Sequence, residues 1–121
     1  MLLDSNIIIY ASKEENSHLD SFLQHGDFCV SVTSRIEVLG YHKLSVREVL
    51  WLESLFDSLS CLPLDEPVAG LAILLRQKQK ISLADAIIAA TALHHNLPLV
   101  TRNIADFQSI PNLQLIDPFK Q

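Results

Sequence analysis

The chain has 121 residues, and 49% of them are hydrophobic, which is enough for one folded domain and excludes a disordered chain. The net charge of −5 excludes binding of nucleic acid by bulk positive charge, so any polyanion would be held through local basic residues or a bound cation. No apolar run approaches the ~20 residues that cross a bilayer, and no signal peptide is visible. We therefore expect a soluble, cytoplasmic protein with no membrane segment.

Strand-like apolar runs alternate with helical periodicities along the chain. The first run, residues 1–4, predicts a buried strand that ends on Asp4, and residues 5–10 either extend it or open a helix capped by Ser5 or Asn6. Later strands are predicted at 28–32, 60–64, 97–101 and 113–116. Cys29 and Cys61 lie in two of these runs and are expected to be buried thiols.

Helical patterns occupy the intervals between these strands. They are predicted at 16–25, at 35–42 after a Thr33 or Ser34 cap, at 46–59, at 66–80, from the Ser82 cap to about 96, and at 104–107. Strands that alternate with helices predict a mainly parallel sheet covered on both faces. The sequence therefore predicts a single α/β domain over residues 1–121.

Three acids stand apart from the others because apolar residues flank each of them: Asp4, Glu37 and Asp85. Asp4 ends the first strand, Glu37 follows the second, and Asn103 and Asp106 follow the fourth. Because ligands bind beyond the carboxyl ends of parallel strands, we expect these side chains at one edge of the sheet. Asp85 has a second interpretation, since its spacing from the Ser82 cap is also that of a capping box.

Converging carboxylates need a compensating charge. Two of them ~4 Å apart repel by about 1 kcal/mol in water and by about 4 kcal/mol at an effective dielectric of about 20. Oxygen ligands without His or Cys suit Mg²⁺ or Mn²⁺, which neutralise phosphate oxygens and activate water. Such an ion would also let an acidic protein hold a polyanion.

Four segments resemble the motifs of PIN-domain ribonucleases and, more narrowly, of the VapC-type toxins of toxin–antitoxin pairs. They are LLDSN at 2–6, TSRIEV at 33–38, LADAIIAATA at 83–92 and VTRNIADF at 100–107. The resemblance implies a three-layer α/β/α sandwich with a sheet of about five strands. It also implies an endoribonuclease that uses Mg²⁺ or Mn²⁺ and a metal-activated water, forms a homodimer and is inhibited by a cognate antitoxin.

The resemblance also implies roles for individual residues. Asp4, Glu37 and Asp85 match the three main acidic positions, whereas Asn103 stands where many members have a fourth acid. Asn103 offers a carbonyl ligand without charge, and Asp106 either compensates for this or caps a short turn. The implied catalytic residues are Asp4, Glu37, Asp85 and Asp106, and the implied metal ligands are Asp4, Asp85, Asn103 and Asp106.

Several polar residues near these motifs are candidates for supporting roles. Asn6, Thr33 and Thr101 would orient the carboxylates or a water, and each could equally be a cap or turn residue. Arg102, next to the predicted site, is a candidate for binding the phosphate of the RNA substrate.

Other features have ordinary structural interpretations. Arg76, Lys78 and Lys80 lie at the carboxyl end of a predicted helix, where they complement its dipole, and we prefer this interpretation to RNA contact. Trp51 widens the apolar face of another helix, so it either receives an antitoxin helix or belongs to the core.

Two other functions compete with the nuclease. Asn103 and the negative net charge are also compatible with a catalytically weak PIN-like module that binds RNA or protein. A phosphatase with Asp4 as its nucleophile would require D-x-D after the first strand, but the third residue of that motif is Asn6 here.

Overall fold

A computed structural model of the chain describes residues 1–120, apart from the side chain of Glu14. The strands of this part are β1 (Leu2–Leu3), β2 (Cys29–Ser31), β3 (Ser60–Leu62), β4 (Leu99–Val100) and β5 (Leu115–Ile116). The helices are α1 (Ser5–Ala11), α2 (His18–Gln24), α3 (Val32–Leu39), α4 (Val46–Ser58), α5 (Glu66–Lys78), α6 (Leu83–His94) and α7 (Ile104–Phe107), with a 3-10 turn at Glu14–Asn16. All strand pairs are parallel, in the order β3-β2-β1-β4-β5. The predicted α/β fold with a parallel five-stranded sheet is confirmed.

The sheet has a hydrophobic core on each face, and β1 shows why. Successive strand residues point to opposite faces, so Leu2 and Leu3 enter different cores, and both are fully buried. Leu3 packs with residues of α1, α3 and α4, whereas Leu2 packs with residues of α6 and α7. Because β1 is covered on both faces and paired on both edges, it is the centre of a three-layer sandwich.

Two helices begin directly where strands end. Asp4 caps α1 and Ser31 caps α3, and both residues keep an extended backbone, with ψ of 150° and 146°. Each accepts a hydrogen bond from a backbone N–H of the first turn, so strand and helix are joined without a loop. The sequence placed both caps too far along the chain, at Ser5 or Asn6 and at Thr33 or Ser34.

The end of α6 sets the direction of the chain into β4. The Leu97 N–H donates to the Ala92 carbonyl at 2.8 Å, the Asn96 N–H donates to the Leu93 carbonyl at 3.2 Å, and Asn96 has a φ of 55°. This is a Schellman motif, in which Asn tolerates the left-handed conformation. Since α6 and β4 therefore run in opposite senses, the amino end of α6 lies at the carboxyl edge of the sheet.

The structure tests the predicted burial of the two cysteines and the two interpretations of Trp51. Cys29 is partly buried, whereas Cys61 lies on the outermost strand β3 and is exposed, so its predicted burial is wrong. Trp51 is partly buried against the core on the α1–α4 side, which supports its core interpretation. None of the described helices is long and apolar enough to cross a membrane.

Candidate functional site

Asp4 is the most buried carboxylate of the site, with 3% of its surface exposed. Its Oδ1 accepts a hydrogen bond from the Ser5 N–H at 2.8 Å, and its Oδ2 accepts one from the Thr101 hydroxyl at 2.8 Å. Burial raises the pKa of Asp4 from 3.8 to about 6, and the carboxylates of Asp85 and Glu37 add to the rise while the two hydrogen bonds oppose it. Two neutral hydrogen-bond donors thus hold the Asp4 carboxylate in place, and other carboxylates lie close to it.

Asp85 lies in the first turn of α6 and is partly buried. Burial raises its pKa above the usual value, the Ser82 hydroxyl opposes the rise, and the carboxylates of Asp106 and Glu37 add to it. The Ser82 hydroxyl also accepts from the Asp85 N–H at 3.1 Å, so Ser82 does cap the helix. Ser82 thus caps the backbone of Asp85, while the Asp85 carboxylate lies close enough to those of Asp106 and Glu37 for each to raise its pKa.

Glu37 reaches the same edge of the sheet from α3. It is exposed, and its Oε1 lies 2.8 Å from the Ser5 hydroxyl, which is also 2.9 Å from the Ser34 hydroxyl. Because a carboxylate only accepts and a hydroxyl has one proton, Ser5 donates to Glu37 and accepts from Ser34. Sequence reasoning missed this role of Ser5 and Ser34, although both lie in segments that contain the acids.

Thr101 connects Asp4 to the segment after β4. Its side chain is fully buried, and its hydroxyl donates to Asp4 while accepting from the Asn103 N–H at 3.0 Å. Asn103 caps α7, but its side chain makes no capping hydrogen bond. Asp106 is exposed on α7 and faces a cleft of about 670 Å³ together with Asp85. The structure therefore brings Asp4, Glu37, Asp85 and Asp106 to one edge of the sheet.

The remaining predicted site residues are less closely tied to the acids. Asn6 and Thr33 are partly exposed in the first turns of α1 and α3, and their side chains have no hydrogen bond to another described residue. The Arg102 guanidinium lies 4.3 Å from the ring centroid of Phe119 and 5.5 Å from that of Tyr10. This aromatic contact restrains Arg102 beside Thr101.

The site has the donor set of a hard cation but lacks a ready-made metal cage. Within residues 1–120, no three His, Cys, Asp or Glu side chains are arranged to hold a metal ion together. Mg²⁺ is commonly held by only one or two carboxylates and keeps several waters. The raised pKa values of Asp4 and Asp85 show that added positive charge would stabilise both carboxylates. The residues therefore fit a hydrated divalent cation.

The chain is similar to known proteins in sequence and in fold. A family model described as PIN domain matches residues 1–113. A chain of a toxin–antitoxin complex from Klebsiella pneumoniae is 29% identical, with a TM-score of 0.79 and coverage of 99% of this chain and 98% of that one. FitAcB from Neisseria gonorrhoeae (25%, TM-score 0.81, 99% of each chain) and DNA-bound VapBC from Salmonella typhimurium (25%, 0.81, 96% of each) are also similar. No curated protein sequence matches the chain.

The raised pKa of Asp4 predicts a stability effect of Asp4→Asn in the metal-free protein. Because the folded pKa of about 6 exceeds the ordinary 3.8, the contribution of Asp4 to stability is fully present below pH about 4 and is lost as pH rises through about 6. The full shift corresponds to about 3 kcal/mol. We expect the free energy of unfolding of the variant, relative to wild type, to rise by about 1–3 kcal/mol between pH 4 and pH 7.5.

Urea denaturation in EDTA at both pH values measures this difference. Asp57→Asn, which removes an exposed carboxylate of α4, is the matched control for the change of charge. A relative stability of Asp4→Asn that does not change with pH would contradict the buried, charged state inferred for Asp4.

Proposed function

Because the chain belongs to the PIN-domain family, whose members are nucleases, we propose that it is a Mg²⁺- or Mn²⁺-dependent endoribonuclease and the toxin of a toxin–antitoxin pair. One observation carries the proposal: Asp4 and Asp85 are both destabilised as carboxylates by burial and by neighbouring acids at the carboxyl edge of the sheet. The similar chains from toxin–antitoxin complexes support the biological role.

The acids of the site would divide the work between holding the cation and accepting a proton. Asp4 and Asp85 would hold the cation, with Asp106 and Asn103 on the side of α7. When bound, the cation supplies neutralisation of phosphate oxygens and a water of lowered pKa. Glu37 is exposed and is oriented by the Ser5 hydroxyl, so it would take the proton of the attacking water.

Thr101 acts on this chemistry through Asp4. Its hydroxyl fixes one carboxylate oxygen, and its own position is fixed by the hydrogen bond from Asn103. Arg102, restrained by Phe119, would contact a phosphate of the RNA at the same edge.

A second copy of the chain and a cognate antitoxin are the proposed protein partners. Large hydrophobic side chains are exposed in two groups. The first group lies on and between α3 and α4 and comprises Ile36, Tyr41, Val46 and Leu50. The second group lies on and beside α5 and α6 and comprises Leu64, Ile73, Leu74 and Leu83. Leu64, Ile73 and Leu83 line one cleft of about 510 Å³. Exposed apolar side chains on two different pairs of helices would suit two different partners.

Asp85→Asn tests the nuclease directly. We expect it to reduce the cleavage of single-stranded RNA by about 100-fold or more, because it removes a carboxylate that holds the cation. The measurement is cleavage of labelled RNA across Mg²⁺ and Mn²⁺ titrations, with Asp57→Asn as the control. Cleavage by Asp85→Asn at the wild-type rate would refute the mechanism, and a wild type that binds RNA without cleaving it would favour the binding module.

Thr101→Val tests whether the hydroxyl positions Asp4. The change keeps the side-chain volume, and we expect the Mg²⁺ concentration for half-maximal cleavage to rise about 10- to 100-fold. Thr91→Val is the matched control, since Thr91 is equally buried and its hydroxyl donates to the Ile87 carbonyl within α6. If Thr101→Val and Thr91→Val need the same Mg²⁺ concentration for half-maximal cleavage, the Thr101 side chain contributes only packing.

Single charges placed on the two apolar surfaces test the assembly. We expect wild type to sediment as a dimer, and we expect one of the variants Leu50→Glu and Ile73→Glu to sediment as a monomer, because a glutamate buried in an interface is strongly unfavourable. The other variant should remain dimeric. Sedimentation velocity at several concentrations distinguishes the species, and a monomeric wild type would exclude the homodimer.

A further inference from the structure

The carboxyl end of α5 faces the same cleft as two carboxylates of the site. This cleft of about 670 Å³ is lined by Arg76 and Lys80 as well as by Asp85 and Asp106. Lys78 belongs to the same end of the helix but does not line the cleft. The sequence grouped the three basic residues together as partners of the helix dipole, but in the structure only Arg76 and Lys80 face the cleft.

The helix dipole does not explain the position of Lys80. Helix α5 ends at Lys78, and Gln79 has an extended backbone with φ of −155° and ψ of 162°. Lys80 thus lies beyond the last turn, whereas dipole effects fall off within that turn. The Gln79 side chain also accepts a hydrogen bond from the Ser109 hydroxyl at 2.7 Å, which ties this segment to the chain after α7. This hydrogen bond therefore links the segment that contains Lys80 to the part of the chain that follows Asp106.

The charges of the cleft differ from those of the whole molecule. Two cationic side chains stand with two carboxylates in its lining, whereas the chain carries a net charge of −5. Within the described part of the chain, neither Arg76 nor Lys80 forms an ion pair, and both are exposed. Both cations are thus available to an anionic ligand that enters the cleft.

We propose that Arg76 and Lys80 bind the phosphates of the RNA strand next to the bond that is cleaved. The inference rests on the proposed function, because it takes RNA as the polyanion and the adjacent carboxylates as the reacting site. The partly buried Ile81 and the exposed Ala105 also line the cleft and offer apolar contact to a ribose or base. The cleft thus holds the strand that enters or leaves the site.

Binding of a fluorescein-labelled single-stranded RNA tests the proposal, with fluorescence anisotropy at several NaCl concentrations. All proteins carry Asp4→Asn, so that the RNA stays intact. Each phosphate contact on single-stranded nucleic acid contributes about 0.7 to the slope of log affinity against log salt. The double variant Arg76→Gln/Lys80→Gln is therefore expected to lose about 1.4 of this slope and to bind roughly 10- to 30-fold more weakly at about 0.1 M salt.

Two control variants separate contact in the cleft from charge and fold. Lys78→Gln removes one positive charge at the end of α5 but outside the cleft, and it is expected to bind like the parent protein, whereas the single variant Lys80→Gln should bind more weakly. Arg76→Lys/Lys80→Arg keeps both charges and should retain most of the affinity. The proposal is overturned if the double glutamine variant binds like the parent, or if Lys78→Gln weakens binding as much as Lys80→Gln does.

The nuclease assay on proteins with Asp4 intact keeps the two proposals distinguishable. If wild type does not cleave RNA with Mg²⁺ or Mn²⁺, the proposed function fails, while anisotropy still shows whether the cleft binds RNA. If wild type cleaves RNA, and if the double glutamine variant binds and cleaves RNA as well as wild type does, only the proposed role of the cleft fails.

Discussion

The hydrogen bond between Thr101 and the buried carboxylate of Asp4 is the contact on which the site depends. It joins the residue after β1 to the residue after β4, two neighbouring strands at the middle of the sheet. Asp4 also caps α1, so one side chain fixes a helix and the edge of the sheet at the same time. The other acids are arranged around this fixed point and raise its pKa.

The way in which the acids are held leaves their negative charge uncompensated. Their hydrogen-bond donors are hydroxyls and a backbone N–H, which fix positions without neutralising charge. The ion pair that the described residues do form, between Lys13 and Glu48, lies between the end of α1 and the start of α4. A site built in this way keeps its negative charge for a ligand, and the protein loses some stability in return.

The fold followed from the sequence because one or two helical patterns separate each short apolar run from the next. The convergence of Asp4 and Glu37 followed from the rule that parallel strands end at one edge. The placement of Asp85 at the same edge did not follow from this rule, since it depends on the Schellman turn at Asn96 and on the packing of α6. The caps of α1 and α3 were missed because the residue that ends a strand can also begin a helix, and single-sequence patterns mark the two elements separately. The distinction between Lys78 and Lys80 required three-dimensional coordinates, because sequence distance does not show which side chain enters a cleft.

The order of the strands has a consequence for synthesis. Strand β1 occupies the centre of the sheet, and it is made long before one of its two neighbours, β4, which begins only at Leu99. A nascent or truncated chain that stops before this point leaves Asp4 without Thr101 and leaves one edge of β1 unpaired. Such long-range pairing also slows folding. The polypeptide consequently forms the contact between Asp4 and Thr101 only after the segment that follows Leu99 has been made, and products truncated before that segment cannot contain it.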